Sequence, residues 1–440
     1  MSFRGLLSLA IVVALCGVGV WLAGTDRVRS LAESIGVSAL APTPHERYAR
    51  SLRSAGLSDA TLGRQWLAAA DASLAEAERV EVPRREAMWF AAAAPRAVAL
   101  RATLRRGQRA TVSASVTSGS PASVFLDLFE YRDGGFEAVS HADEGASDLT
   151  HEITRDGEYL LRIQPELLQD THVQIEWRIE PTLSLPVRGG TRRSIQSDFR
   201  APRDGGAREH HGVDIFAPRG TPVLAAADGI VTSVGTNTLG GKVVWVARPL
   251  RHESLYYAHL DTQSATTGNR VKAGDVLGTV GNTGNAAGGP PHLHFGIYTR
   301  GGPVDPLPYL DPARSREPGP LLAAPGEFHR LRAAQRIAGR ALPTGTIVEV
   351  VGATAAAVRV RLPDGAEGYA PARATVSVAS ALRALRVPRQ AALTNSPVDG
   401  VPMNTLTAGT RVEVLGTFGD ALYVRTAGGL SGWIVKAAGA

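Results

Sequence analysis

The sequence predicts a mainly β chain of several domains, preceded by a membrane anchor and a short helical segment. Three observations carry this prediction. Apolar runs of period two, separated by glycine-containing turns, follow residue 97. A length of 440 residues suits about three domains. A short pattern near the C terminus recurs at a constant offset of 64 residues, which indicates an internal duplication.

The first element, residues 1–28, is predicted to be a membrane anchor. Gly5 to Gly24 is a run of twenty residues without a charge, and a helix of that length spans about 30 Å, the thickness of the hydrocarbon core. A cleaved export signal is the alternative, but Trp21-Leu-Ala-Gly24 is a poor cleavage site. We therefore predict a cell-envelope protein held in the inner membrane and facing the periplasm, with secretion as the alternative.

Residues 45–83 are predicted to form a helical segment. The alanine-rich run from Ser58 to Arg79 has Ser58 or Asp59 as a candidate N-cap, and Pro83 prevents its continuation. Leu67 and Leu74 place one apolar stripe on this helix. We interpret it as a packing helix between the anchor and the first domain.

Residues 97–187 are predicted to form a β-sandwich. Four runs alternate or are continuously apolar, and turn signals such as Asp156-Gly157 lie between them. The runs are Thr111–Val116, Val124–Phe129, Gly157–Ile163 and Val173–Ile179. None of them carries a catalytic constellation, so the sequence predicts a spacer or a binding module.

The next region, 195–310, carries metal-ligand side chains at strand spacing. His292 and His294 project from one face of a strand, while Leu293 and Phe295 turn to the buried face. In the earlier segment, a straight strand would hold His210 and Asp214 about 13 Å apart. We expect the chain to bend at Gly212, because glycine permits a bend at low cost.

Two imidazoles and one carboxylate are a usual ligand set for a catalytic zinc. His210, Asp214 and His294 would supply that set, which leaves His292 beside the ion to handle a proton. His259, in another strand-like run, is a second such residue. We interpret the neighbouring His211 and His252 as ordinary core or surface histidines.

These motifs resemble the M23 family of zinc metallopeptidases, the lysostaphin and LytM type that cuts peptidoglycan cross-links. The resemblance rests on motifs in the same order along the chain. They are His210-His-Gly-Val-Asp214, Gly220-Thr-Pro-Val223, Tyr257-Ala-His-Leu260 and His292-Leu-His-Phe295. The resemblance implies an antiparallel β domain, zinc ligands at His210, Asp214 and His294, and a catalytic pair at His259 and His292.

One departure from the family pattern is the loop from Gly281 to Pro291, which is longer and richer in glycine than usual. This loop leaves open which peptide bond is cut. Two other functions remain as alternatives: a non-catalytic activator of wall hydrolases, and a zinc peptidase acting on exported proteins.

The charge balance favours an anionic polymer as partner. There are 47 basic and 41 acidic side chains, which suits cell wall or a membrane surface. Basic runs with interleaved aromatics are missing from the sequence, so we predict no nucleic-acid partner. Peptidoglycan and the inner membrane are the expected partners, and the sequence identifies no protein partner.

A proline-rich linker, 311–325, precedes the duplicated region. Gly345-Thr-Ile-Val-Glu-Val350 recurs as Gly409-Thr-Arg-Val-Glu-Val414, and Gly368-Tyr369 recurs as Gly432-Trp433. Residues 326–377 and 384–440 resemble bacterial SH3-like domains, which implies two small β-barrels that bind the wall. We expect the stiff linker to make them fold separately; structural spacers are the alternative.

Overall fold

The computed structural model describes residues 42–118, 122–311 and 326–435. Over these residues the chain is mainly β, as predicted. None of the helices in these three stretches is long and apolar enough to cross a membrane. The anchor predicted at residues 1–28 lies outside the described residues, and so do residues 312–325 of the linker.

Two helices precede the first domain. α1 spans Pro44–Ser54, a 3-10 turn spans Leu57–Asp59, and α2 spans Thr61–Ala75. Apart from Pro44, α1 lies within the predicted helical segment 45–83, but the sequence analysis did not identify it as a separate helix; it begins with a capping box between Thr43 and Glu46. The predicted cap of α2 is wrong, because Ser58 and Asp59 belong to the 3-10 turn and Ala60 takes the N-cap position without a side-chain hydrogen bond.

Among the residues that the structure describes, the sandwich contains nine strands in two facing sheets. They are β1 Glu78–Arg79, β2 Arg84–Phe90, β3 Val98–Leu104, β4 Gln108–Ser118, β5 Val124–Arg132, β6 Gly135–His141, β7 Asp148–Glu152, β8 Gly157–Pro165 and β9 Thr171–Pro181. One sheet has the order β1-β3-β8-β5-β6, and the other contains β2-β9-β4-β7. The four predicted runs fall within β4, β5, β8 and β9, whereas β1 and β2 extend the sandwich before residue 97.

The two sheets of the sandwich enclose one apolar core. Met88, Leu161 and Trp177 are all 0% exposed within it. The two helices cover the outer face of the first sheet, where Trp66 packs against Phe125 and donates a 2.8 Å hydrogen bond to the Pro165 carbonyl. The helical segment therefore packs on the sandwich, as interpreted from the sequence.

The third region is an antiparallel β domain with one short helix. Its strands are β10 Ile195–Ser197, β11 Pro202–Arg203, β12 Arg208–Glu209, β13 Val213–Phe216, β14 Pro222–Leu224, β15 Gly229–Asn237, β16 Gly241–Arg248, β17 Glu253–Gln263, β18 Arg270–Val271, β19 Val276–Val280, β20 His292–Thr299 and β21 Gly302–Val304, followed by α3 Leu307–Leu310. The main sheet has the order β10-β13-β20-β17-β16-β15-β18. The candidate site residues lie on or beside β13, β20 and β17, at its centre.

Tyr309 of α3 joins this domain to the sandwich. Its hydroxyl donates to a carboxylate oxygen of Glu253 at 3.0 Å and accepts from Arg106 Nε at 3.1 Å. Its ring lies against Gly107, where a Cβ atom would stand 2.2 Å from the ring. Only glycine permits this approach, and its φ of +88° also favours glycine.

The described part of the C-terminal region, residues 326–435, contains thirteen strands. They are β22 Phe328–Leu331, β23 Gln335–Ile337, β24 Arg340–Leu342, β25 Ile347–Ala353, β26 Ala357–Arg361, β27 Glu367–Pro371, β28 Thr375–Ser377, β29 Arg383–Arg386, β30 Ala391–Thr394, β31 Pro402–Leu406, β32 Arg411–Phe418, β33 Ala421–Thr426 and β34 Ser431–Val435. The strands β32, β33 and β34 begin 64 positions after β25, β26 and β27, respectively. The duplication read from the sequence therefore has a counterpart in the strands.

The first repeat, residues 326–377, packs on the sandwich, contrary to our expectation that the repeats fold separately. β25 pairs with β2 through Met88 and Gly352, so one sheet runs from β27 through β25 and β2 to β7. The second repeat packs on the first through a cluster that contains Ile347, Tyr423 and Trp433. The proline-rich linker gave no sign of these contacts, because they depend on surfaces that lie far apart in the chain.

Candidate metal centre

The pairing of β13 with β20 brings two site residues together. Asp214 lies opposite His294, and Phe216 lies opposite His292. Residues opposite each other on antiparallel strands share one face of the sheet, so Asp214 and His294 meet although 80 positions separate them. Leu293 and Phe295 are 0% exposed on the other face, as the alternation predicts.

His210 reaches the same face because the chain leaves strand geometry between β12 and β13. Gly212 lies in this bend, as expected, but close packing explains the glycine better than its backbone angles do. A Cβ atom there would stand 2.4 Å from the Phe295 carbonyl oxygen and 2.8 Å from His294 Cε1. The missing side chain leaves room for the His294 ring.

His210, Asp214 and His294 form one compact group. His210 Nε2 lies 3.0 Å from Asp214 Oδ1 and 2.9 Å from His294 Nδ1, and His294 Nδ1 lies 3.1 Å from Asp214 Oδ1. Donors about 2.05 Å from a tetrahedral zinc stand about 3.3 Å from each other. The three atoms are thus within a few tenths of an ångström of that spacing, and the group could hold a metal ion.

The protonation of this group also suits a metal. His210 Nδ1 lies 2.8 Å from the Asp198 carbonyl oxygen, which can only accept, so the proton is on Nδ1 and Nε2 is bare. Burial alone would raise the pKa of Asp214, but its close contacts with His210 and His294 hold it well below its usual range. Burial lowers the pKa of His294. An ionised carboxylate and neutral imidazoles are the forms that bind zinc.

His292 stands beside the group without belonging to it. Its Nδ1 donates to the Pro290 carbonyl at 2.9 Å, which leaves Nε2 bare and 3.9 Å from Asp214 Oδ1. The Phe216 ring stacks on the imidazole with ring centroids 5.0 Å apart. His292 is therefore held in one orientation and one tautomer.

His259 reaches the site through a break in strand geometry. On a regular strand it would share the face of its neighbour Tyr257, which lies opposite Phe295 in the core. Its φ of +62° is in the left-handed region, where a residue other than glycine is uncommon. This conformation turns the imidazole to the site face, with its centroid 5.0 Å from that of His292.

A backbone carbonyl fixes the tautomer of His259 as well. Its Nδ1 donates to the Thr283 carbonyl at 2.8 Å, and Nε2 is the bare nitrogen. Burial lowers the pKa of His259 to about 4, so the ring is neutral at neutral pH.

The loop from Gly281 to Pro291 supplies both carbonyls. Asn282 Nδ2 donates to the Gly289 carbonyl at 2.9 Å, and the Asn282 side-chain oxygen accepts from Arg219. The sequence analysis identifies this loop only as a departure from the family pattern that leaves the cleaved bond open. The sequence analysis missed its second role because backbone carbonyls have no residue-type signal.

The structure brings together all five predicted site residues, while His211 and His252 are exposed outside the cluster. Sequence reasoning missed Asp198, whose carbonyl orients His210, and Arg203, whose guanidinium contacts Asp214. Both precede the first histidine motif in a short segment without metal-ligand spacing. Only the pairing of β10 with β13 and of β11 with β12 places this segment at the site.

Comparison with known proteins identifies relatives of this region. Residues 208–306 match the model of peptidase family M23. The peptidoglycan DD-endopeptidase ShyC of Vibrio cholerae is 38% identical over 116 residues, which is 25% of each chain. The DD-carboxypeptidase/endopeptidase Mpg of Neisseria meningitidis is 44% identical over 100 residues, covering 23% of this chain and 22% of Mpg.

The L-Ala--D-Glu endopeptidase of Bacillus subtilis is 37% identical over 143 residues, 30% of this chain and 43% of that protein. The chain thus spans about a quarter of the length of ShyC and of Mpg. The similarity concerns the region that holds the His210 group.

Proposed function

Because residues 208–306 form a domain of peptidase family M23, we propose that this chain is a zinc-dependent endopeptidase that cuts peptide cross-links of peptidoglycan. The observation that carries the proposal is the convergence of His210 Nε2, Asp214 Oδ1 and His294 Nδ1 within about 3 Å of one another. Two imidazoles and a carboxylate leave a fourth position for water or substrate.

His210, Asp214 and His294 would hold the zinc. When bound, zinc lowers the pKa of a coordinated water to about 7 and polarises the scissile carbonyl. His210 remains fixed by the Asp198 carbonyl, so it keeps Nε2 directed into the group. This orientation is the contribution of the residues around the ligands.

His259 and His292 handle protons in this proposal. Each keeps its Nδ1 proton on a backbone carbonyl and presents a bare Nε2. One can take the proton of the attacking water, and the other, once protonated, can stabilise the oxyanion or protonate the leaving amine.

The bond that we place first is the D-alanyl to diaminopimelyl cross-link. The names of ShyC and Mpg specify DD-endopeptidases, whereas the Bacillus relative is named for an L-Ala–D-Glu bond. The DD bond is also the cross-link expected if the chain is anchored in an inner membrane and faces a periplasm, as we propose below. A glycine bridge is the alternative substrate.

The flanking regions would place the enzyme at its polymer. We propose that residues 1–28 anchor the chain in the inner membrane and that it faces the periplasm. We also propose that residues 326–377 and 384–440 are SH3-like domains that contact the wall. Membrane fractionation together with N-terminal sequencing tests the anchor; recovery in the soluble periplasm with a start near Thr25 would contradict it.

Purified protein and purified sacculi test the proposed activity. We expect about one zinc per chain, release of fragments whose masses show cleavage at the D-alanyl to diaminopimelyl bond, and loss of release after chelation and dialysis. Activity that survives complete zinc removal would overturn the proposal. Tight zinc binding without fragment release would favour the non-catalytic activator.

A further inference from the structure

Arg203 contacts the candidate metal centre from outside the region that matches family M23. It lies at the end of β11, before residue 208. Its Nη2 donates to Asp214 Oδ2 at 2.5 Å and to Ser197 Oγ at 2.6 Å. Its side chain is 32% exposed, so the guanidinium closes one side of the site and still reaches solvent.

The two oxygens of Asp214 therefore have different surroundings. Oδ1 lies 3.0 Å from His210 Nε2 and 3.1 Å from His294 Nδ1, at the point where the three ligand atoms meet. Oδ2 belongs to the hydrogen bond from Arg203. A hydrogen bond between charged partners is strong and directional, so it opposes rotation of the carboxylate.

The segment that carries Arg203 also orients a second ligand. Ser197, which accepts from Arg203, has its Oγ 3.4 Å from His210 Nδ1, and the next residue, Asp198, provides the carbonyl for that nitrogen. The chain from Ser197 to Arg203 therefore contacts two of the three candidate ligand residues, through His210 Nδ1 and Asp214 Oδ2 rather than through the atoms that converge.

We propose that Arg203 is a positioning residue that restricts Asp214 to a single donor oxygen. This inference rests on the proposed zinc site. If Oδ2 were free, the carboxylate could rotate and offer both oxygens, which would occupy a position that a catalytic zinc keeps open for water or substrate. Arg203 thereby keeps one coordination position available, a role typical of partners that surround metal ligands.

The test uses cobalt(II) in place of zinc, because the strength of its visible absorption reports coordination number. Metal-free full-length protein is loaded with one equivalent of cobalt, and full loading is verified by elemental analysis. We expect the intense spectrum of a four-coordinate ion for the wild type. Arg203→Ala should give a clearly weaker spectrum at the same cobalt content, because the second oxygen adds a ligand.

Turnover provides the second measurement. With zinc bound, Arg203→Ala should cleave a soluble cross-linked peptide about tenfold to a hundredfold more slowly, the range typical for loss of a residue that supports a metal ligand. Arg203→Lys should recover part of both the spectrum and the rate, because an ammonium group can still hold Oδ2 but offers a less rigid contact.

Arg200→Ala is the matched control. Arg200 lies in the same segment, its side chain is 70% exposed, and that side chain pairs with Glu209 at 3.6 Å rather than with a ligand residue. Its backbone N–H donates to the His210 carbonyl at 2.7 Å, and the alanine variant keeps this hydrogen bond. We expect it to leave spectrum and turnover unchanged. An Arg203→Ala protein with a wild-type cobalt spectrum would overturn the positioning role, and a control that changes as strongly as Arg203→Ala would do the same.

Failure of the proposed function has a separate signature. If the wild-type protein bound neither zinc nor cobalt, the metal centre itself would be wrong. If it bound both but Arg203→Ala matched its spectrum, only the role of Arg203 would be wrong.

Discussion

Two buried polar clusters of this molecule balance their charges in opposite ways. Around His210, two imidazole nitrogens and a carboxylate oxygen converge within about 3 Å, and the proton of His210 is committed to the Asp198 carbonyl. Around Glu86, where the first repeat meets the sandwich, each carboxylate oxygen already has donors. Arg359 and Tyr369 contact Oε1 at 3.0 and 2.9 Å, and Arg84 contacts Oε2 at 2.6 Å.

This difference separates a binding site from a structural contact. In the first cluster, nitrogen and oxygen atoms that accept hydrogen bonds face one another with too few donors among them. Burying such atoms is costly unless a cation binds between them. A buried carboxylate surrounded by two guanidinium groups and a hydroxyl is already compensated. We therefore expect changes in the first cluster to alter metal content and turnover, and changes in the second to alter stability alone.

The largest effect should come from the ligands. His210→Ala or Asp214→Ala should lose both zinc and hydrolysis, because two remaining ligands seldom retain a catalytic zinc. Elemental analysis and a soluble cross-linked peptide measure the two outcomes. A variant that kept stoichiometric zinc would show that its residue is not a ligand.

A smaller loss should follow removal of the proton-transfer residues. His259→Ala and His292→Ala should keep zinc and lose about a hundredfold in turnover, as expected for removal of a general acid or base. Zinc content of each variant is the control. Loss of the metal from either one would contradict the division between ligands and catalytic residues.

The second cluster should respond differently. Glu86→Ala leaves Arg359 and Arg84 buried without their main partner, and such a change costs about 3–5 kcal/mol in the free energy of unfolding. Denaturant unfolding measures the loss, while zinc content and turnover of the folded protein should stay unchanged. Glu413→Ala is the control, because Glu413 lies in the second repeat, its side chain is 50% exposed, and it forms a surface ion pair with Arg425. It should cost under about 1 kcal/mol.

The cost of Glu86→Ala should also depend on pH. Burial alone would raise the pKa of Glu86, but Arg359 and Arg84 hold it below its ordinary value. A depressed carboxylate pKa stabilises the folded state above the unfolded-state value of about 4.3, and this contribution is lost as the pH falls through the folded-state value. A difference between wild type and variant that grew on acidification would contradict the ion network.

The smallest effect on chemistry should come from removing repeats. Deletion of 384–440 leaves the pairing of β25 with β2 intact, so we expect unchanged cleavage of a soluble peptide, slower attack on sacculi and little loss of sandwich stability. Deletion of 326–440 should also spare the soluble peptide but lower stability, because β2 loses its neighbour. Faster cleavage of the soluble peptide by either truncated protein would instead mean that the repeats restrict access to the site.

The sequence by itself determined the strand face that carries His292 and His294, the candidate ligand set, and the duplication at offset 64. These features are local. Side chains alternate between the two faces of a strand, so the direction of each follows from its position, and a duplication can be recognised from the repeated residue pattern. Tertiary structure alone decided that Asp214 lies opposite His294, that His259 turns to the site through a left-handed residue, and that carbonyls of Asp198, Thr283 and Pro290 set the tautomers. It also decided that Arg203 faces Asp214 and that the first repeat continues the sandwich sheet. Strand register, backbone carbonyls and interdomain surfaces join residues far apart in the chain, and no local pattern of residue types encodes those pairings.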